Sequence, residues 1–374
     1  MPDQTPQTEI ITESQTLWHT DRSPSGCNHC QRVFLLPPSH DGTNCPLCRR
    51  GTLEAQPVRT RPADPERLLP FNISKQDLSR AYEQFTSGVW IKPEDFSAEH
   101  LLRRSVPVFW PLWLVDCNIR GNWEMEAGFD YQIESSKDYY EGGEWRSRKQ
   151  IEDRIRWEPR VGVLETRVDN TTAPALEEND NRMKMTGKYQ LNQAIPFNPD
   201  YLGGAYLELP DLNPEEAWPL ARPRVDQTAA RVCANAAGAQ HHRNFTIQAR
   251  YDNLNWTEFF LPMYATYYTD DEGAPQIVIT NGMTGTVQGP RLASRKRGMR
   301  IAGILAAVAG AIFLLALFGL LIALILPPAG LIAGLLGLLG VFIGICAIIP
   351  AVWPGQWNRK QEGPRITNPE GERR

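Results

Sequence analysis

An α+β protein in three successive parts is what this sequence predicts. Three observations carry that expectation. Two closely spaced cysteine pairs lie near the N-terminus, a long middle stretch alternates in hydropathy, and two apolar runs lie near the C-terminus. The chain has 374 residues, enough for one large core or two modest ones besides the apolar runs. Residues 1–20 are dominated by Thr, Gln, Pro, Asp and Glu, with little to bury, and a disordered tail is expected there. They contain no apolar h-region, so no secretory signal peptide is expected.

Residues 21–55 hold the most specific chemical signal. Cys27-Asn28-His29-Cys30 and Cys45-Pro46-Leu47-Cys48 are two CxxC pairs separated by fourteen residues. A CxxC turn aims two thiolates at one ion. A second such turn completes a tetrahedron, with Zn–S distances of ~2.3 Å. The spacing predicts a zinc ribbon with Cys27, Cys30, Cys45 and Cys48 as ligands and a strand over 33–36. Four thiolates leave no open position, so the zinc is expected to be structural. A redox CxxC, an iron site and four free thiols are the competing readings. Cys117, Cys233 and Cys346 stand apart, and seven cysteines so distributed do not form a disulfide framework. Thiol pairs in a reducing compartment more often serve metal. His19, His29 and His40 lie close in sequence, but the cysteines already fill a tetrahedral site.

Residues 56–70 read as a linker, broken by Pro57, Pro62, Pro65 and Pro70 and solvated by Arg59, Arg61 and Arg67. Residues 71–290 read as one cytoplasmic α+β domain rich in antiparallel sheet. It opens on a helix over 71–88 that Ser74 can cap, with Leu78, Tyr82 and Phe85 at helical spacing. Strands are expected over 106–116, 121–129, 145–169, 245–251, 259–268 and 276–280. A polar loop is expected over 170–181. A helix is expected over 214–238, disturbed by Pro219 and Pro223. Asn281-Gly282 is a turn signal. The stretch 109–113 is faintly echoed by 259–264, which reads equally as a duplicated unit or as coincidence.

Residues 301–326 contain no charged side chain, and 331–352 form a second apolar run. About 20 apolar residues span a bilayer, so each run suffices alone. Pro327, Pro328, Ala329 and Gly330 between them make a turn, giving a two-helix transmembrane hairpin. Arg291, Arg295, Lys296, Arg297 and Arg300 precede the pair, and Arg359 and Lys360 follow it. This bias puts both termini in the cytoplasm, including the tail 353–374, in a multi-pass protein of the cell membrane. Trp353 and Trp357 suit the membrane interface, and the basic cluster suits anionic lipid. Gly330, Gly334, Gly337, Gly340 and Gly344 share one helix face. They suit either packing of the hairpin onto Gly303, Ala307 and Gly310 or association with a second copy.

The net charge of −4 argues against a nucleic-acid binder by bulk electrostatics. Arg32, Arg49 and Arg50, with Phe34 as the aromatic, are the residues a nucleic-acid-binding ribbon would use. No GxxxxGK[ST] phosphate loop is present. His241-His242 lacks a HExxH context, and Asp270-Asp271-Glu272-Gly273 falls where a hairpin turn is expected. An enzyme is therefore not expected, and a cleft within 71–290 is where an unrecognised one would lie.

The two CxxC pairs, the Phe109-Trp110-Pro111-Leu112-Trp113-Leu114-Val115-Asp116 stretch, Tyr201-Leu202-Gly203-Gly204, Leu261-Pro262-Met263-Tyr264 and Thr280-Asn281-Gly282-Met283-Thr284-Gly285 together resemble one group of proteins. These are bacterial zinc-ribbon membrane proteins, labelled TFIIB-type zinc-ribbon or, misleadingly, primosomal-helicase-like. The resemblance covers nearly the whole chain. It implies association with phage-shock-protein-A-type or SPFH-type membrane-stress proteins, and hence a membrane-anchored scaffold that recruits a protein partner.

Overall fold

A computed structural model describes residues 20–37, 40, 42–56 and 65–361. The tail expected over 1–20, apart from Thr20, lies outside them, as do 57–64 of the expected linker and 362–374 of the C-terminal tail. In chain order the strands are β1 (Ser23–Cys27), β2 (Val33–Leu36), β3 (Leu53–Ala55), β4 (Arg67–Leu68), β5 (Val106–Glu141), β6 (Glu144–Pro174), β7 (Ile195–Pro196), β8 (Tyr206–Glu208), β9 (His241–Thr269), β10 (Pro275–Asn281) and β11 (Val287–Gln288). The helices are α1 (Lys75–Ser87), α2 (Ala98–Arg103), α3 (Asn179–Thr186), α4 (Pro214–Ala236), α5 (Arg295–Ala323) and α6 (Ala329–Arg359). The result is a mixed α+β fold with a large sheet and two apolar C-terminal helices.

The single domain expected over 71–290 divides instead. Among the described residues, those up to Pro111, Glu178–Leu209 and those from Phe260 on form one compact unit; Leu112–Glu177 and Pro210–Phe259 form the other. Strands β5 and β9 are far longer than the expected pieces and contribute residues to both units.

In the first unit, β1 pairs antiparallel with β2 on one side and β3 on the other. These three strands do not stand alone as the expected boundary 21–55 suggested. Strand β2 also pairs with β8, and β8 runs parallel to the start of β5. The physical reason is in β2 itself: Phe34, Leu35 and Leu36 are all fully buried, so the strand needs cover on both faces. Leu35 packs with Leu68, Phe109, Leu202, Leu207 and Phe260. The end of the expected linker is likewise ordered. Strand β4 pairs with β7, and Leu68 and Leu69 are fully buried. Two adjacent leucines had apolar surface to bury, which outweighed the neighbouring prolines.

Helix α1 begins where Ser74 accepts from the Asp77 amide in a capping box, and it buries Leu78, Tyr82 and Phe85. The turn after β10 is held by its asparagine. Asn281 Oδ1 accepts from the Met283 and Thr284 amides, and Nδ2 donates to the Thr186 carbonyl. A side chain at Gly282 would collide with Phe71 and Pro262 at 2.8 Å.

In the second unit, β5 and β6 pair antiparallel from Leu112↔Pro174 to Glu141↔Glu144, with Gly142 and Gly143 at positive φ making the two-residue turn. Strand β6 therefore runs on through the start of the loop expected over 170–181. Helix α4 continues through Pro219 and Pro223 and buries Ala217, Ala221, Val225 and Ala229. Small side chains let it lie close to the sheet, against Val115, Cys117, Ile119 and Leu164.

Helices α5 and α6 are each long and apolar enough to cross a membrane. Their bounds differ from 301–326 and 331–352. Ser294 accepts from the Arg297 amide and starts α5 earlier, placing the basic cluster in its first turns. Helix α6 continues through Pro350 and Pro354 to Arg359. The two pack through small residues seven apart: Ala302, Ala309 and Ala316 on α5, and Ala333, Gly340 and Ala347 on α6. Gly303, Ala307 and Gly310, the expected partners, are not that seam. Gly303 and Gly310 have open space where a side chain would be, and Ala307 is exposed.

The base of the pair is tied to the rest of the first unit. Asn358 donates to the Ala293 carbonyl at 3.0 Å and accepts its amide at 2.7 Å. Ser294 Oγ and the Lys296 amide donate to Asp271. Trp357 donates to the Arg291 carbonyl, and Trp353 stacks on Trp357 and meets Trp90 edge-on. The two tryptophans assigned to the lipid interface thus have protein partners.

Candidate metal centre

The two CxxC stretches fold as a matched pair of turns. The Cys27 carbonyl accepts from the Gln31 amide and the Cys45 carbonyl from the Arg49 amide, each at 3.0 Å. Gln31 and Arg49 take φ of 60° and 56°, a conformation uncommon for residues other than glycine. The strained residue falls one place after the second cysteine of each pair. It turns the chain so that both thiols point inward. Gly51 closes the site from one side: a Cβ there would stand 2.6 Å from Cys27 Sγ.

Cys27, Cys30, Cys45 and Cys48 come together, all buried, with their sulfurs within 4.8 Å of one another. The Cys27–Cys48 and Cys30–Cys45 separations are 3.6 and 3.7 Å. A tetrahedral site with ~2.3 Å bonds has edges of ~3.8 Å, so this group could hold a metal ion with little adjustment. The His29 and Cys30 amides both approach Cys27 Sγ at 3.5 Å, a contact that favours thiolate over thiol. The hydrogen bond with Cys45 pulls the Cys27 thiol down to about 6, and the same bond chiefly pushes Cys45 far up. Four thiols this close cannot all ionise without a cation between them.

Arg32 joins this cluster to the sheet. Its guanidinium lies 2.5 Å from Glu178 and 3.5 Å from Glu208. Glu208, the last residue of β8, also takes both terminal nitrogens of Arg182, at 2.9 and 3.2 Å. Arg182 and Glu208 are each about 1 % exposed, and Arg182 lies over Trp110. Removing one member of such a pair strands the other charge, at a cost of about 3–5 kcal/mol. Arg182→Met is expected at the low end of that range, because Arg32 stays beside Glu208. Chemical denaturation of the full-length protein in detergent measures it, and an unchanged midpoint would show that the pair contributes nothing.

The other candidate residues have structural uses. Of the three arginines available to a nucleic-acid surface, Arg32 is engaged as described. Arg49 donates to the Tyr267 hydroxyl and lies 4.1 Å over its ring. Arg50 alone is exposed. Asp270 accepts from the Glu272 and Ala274 amides within the turn, while Asp271 caps α5. His241 pairs with Asp130 at 2.8 Å on the surface. His40 rests edge-on against Tyr206; His19 lies outside the described residues. The positive-φ residues and Gly51 were the parts of the site that cysteine spacing alone did not reveal. The recurrence of a bulky residue where the turn needs φ > 0 gave no compositional signal.

No family model matches the chain, and no solved structure matches it. It is similar to "Uncharacterized protein YdjG" of Bacillus subtilis strain 168, with 23% identity over 253 residues, spanning 67% of this chain and 69% of that protein.

Proposed function

We propose that this protein is a membrane-anchored scaffold that holds a structural zinc and recruits a protein partner to the cytoplasmic face of the membrane. The observation that carries it is the mounting of the apolar helix pair. Ser294, Asp271, Ala293 and Asn358 fasten both helices at their base to the unit that bears the cysteine cluster. A flexible tether would suffice to hold an enzyme near a membrane. A fixed mount suits a surface that must be presented in one orientation.

The metal reading rests on chemistry. Four thiolates suit zinc, and a site they fill has no position for substrate. Arg295, Lys296, Arg297 and Arg300 at one helix end, with Arg359 and Lys360 at the other, favour the cytoplasmic side for both ends. The resemblance of the chain to bacterial zinc-ribbon membrane proteins suggests the class of partner, a phage-shock-protein-A-type or SPFH-type protein.

The test is purification of the full-length protein from membranes in mild detergent, with mass spectrometry of what accompanies it and assay of its zinc. The expected result is a phage-shock-protein-A-type or SPFH-type protein in near-stoichiometric amount, with about one zinc per chain. Zinc-loaded protein that brings neither would sink the recruitment reading. Deleting residues 1–60 is a poor control, since it removes β1, β2 and β3 from the sheet.

A further inference from the structure

The β5–β6 hairpin continues well past its neighbours. His241 of β9 reaches Asp130 at 2.8 Å, and the last backbone contact of the β9 end with the hairpin is the Gln240 amide on the Gly128 carbonyl. Beyond that, thirteen residue pairs from Phe129↔Arg156 to Glu141↔Glu144 form a two-stranded arm ~43 Å long at ~3.3 Å per residue. A two-stranded ribbon is at best marginally stable in water without a packed face. This one nonetheless leaves large apolar side chains exposed on both faces.

The register sorts the arm's side chains, because directly opposed residues share a face. One face carries Tyr131, Ile133 and Tyr139. It holds five basic groups, Lys137, Arg146, Arg148, Arg154 and Arg156, against three acidic ones. Its hydrogen bonds agree: Ser135 donates to Glu152, and Arg154 pairs with Glu152. The opposite face carries Tyr140, Trp145, Ile151 and Ile155. The arm's own residues give it four acidic groups, Asp130, Glu134, Asp138 and Asp153, against Lys149, and His241 of β9 pairs with Asp130 at the base. Gln132 donates to Asp153 there, and Lys149 pairs with Glu134.

One ribbon therefore bears a basic aromatic face and an acidic apolar face, back to back. We infer that the arm is a self-assembly element, in which the basic face of one copy docks on the acidic face of a second copy of this chain. The contact uses two different surfaces, so it is head-to-tail and makes a ring or an open stack rather than a two-fold dimer. It also suits copies held the same way up in one membrane. A face ~43 Å by ~10 Å offers each partner about 430 Å², so one contact buries about 900 Å², below the ~1,200–2,000 Å² of stable interfaces. Assembly through the arm is accordingly weak and gains from the concentration that a shared membrane imposes.

The inference does not depend on the metal or on a recruited partner. It is tested on the full-length protein in detergent by sedimentation over a range of concentration and salt. The wild type is expected to self-associate, less so at high salt. Arg148→Glu with Arg154→Glu makes both faces acidic; Asp138→Lys with Asp153→Lys makes both basic. Each double variant alone is expected to associate at least roughly tenfold more weakly. An equimolar mixture of the two restores association to within a few-fold of wild type, because every contact again joins opposite charges. Unchanged zinc content and circular dichroism show that the variants are folded. A wild type that stays monomeric, variants that associate as the wild type does, or a mixture that fails to recover would each overturn the inference. The second of these would assign assembly to the helix pair.

Discussion

On the proposed zinc site, Cys45→Ser is expected to release the ion and to unfold more than the strands β1–β3 around it. A structural zinc contributes an apparent ~10–16 kcal/mol in small thiolate domains at neutral pH. A serine hydroxyl stays protonated there and is a poor fourth ligand, so much of that stabilisation goes. Whole domains are stable by only ~5–15 kcal/mol. The loss then spreads along β2. Phe34, Leu35 and Leu36 are fully buried, and Leu35 lies in one cluster with Phe109 and Phe260. Each such side chain contributes ~1.5–3 kcal/mol by its burial. Zinc content should fall to near zero, and limited proteolysis should cut within 23–55 and then within 201–209, where β8 loses its neighbour. The helix pair should remain as a protected fragment, since above its tied base α5 and α6 pack on each other. A chelator should reproduce the pattern on the wild type, more readily as pH falls, because the ligands must be thiolates. A Cys45→Ser protein that keeps a full zinc would refute the ligand set. One that loses zinc with no new cleavage would show that the sheet, not the metal, holds β2.

The cysteine cluster was legible because CxxC spacing is a local geometric constraint. Each pair needs only its own turn, and both turns were readable from the cysteines. The apolar helices were legible for a similar reason, since length and composition alone decide whether a helix can span a bilayer. Helix α1 was legible from Ser74 and the 78, 82, 85 spacing. What escaped depends on residues distant in sequence. Nothing within 33–36 says that β8, some 170 residues on, will cover it. The pieces 106–116 and 121–129 read as separate strands because polar residues such as Asn118 and Arg120 interrupt the apolar run; in the structure β5 runs on through both, Asn118 half-buried and Arg120 exposed, with a register shift between Val115 and Cys117. The turn signal at Asn281-Gly282 was readable, but not what holds the turn Asn281-Gly282-Met283-Thr284-Gly285 in place. Its asparagine satisfies three backbone groups at once, one of them on α3 nearly a hundred residues away.

Glu258→Gln is expected to stabilise the protein at neutral pH, and the size of the effect should depend on pH. Glu258 lies on β9, two residues from Trp256 and so on the same strand face. Trp256 packs edge-on against Trp113 and Trp218. The Glu258 side chain is about 1 % exposed, and neither carboxylate oxygen finds a hydrogen-bond partner among the described residues. Burial pushes its carboxyl up from 4.5 to about 8, the direction expected when no cation compensates. The folded protein therefore keeps the proton that the unfolded chain releases above pH 4.5. Stability from this group is full at low pH, falls as pH rises from about 4.5 to about 8, and is level beyond. At ~1.36 kcal/mol per unit the loss is about 3 kcal/mol at pH 7 and about 4 kcal/mol at pH 8. Glutamine keeps the shape and never ionises, so it removes that loss while retaining the polar burial common to both. Denaturation of wild type and Glu258→Gln in detergent should coincide near pH 4.5 and separate steadily up to pH 8, with the variant more stable. Parallel pH profiles would mean that water or a cation reaches the carboxylate in solution.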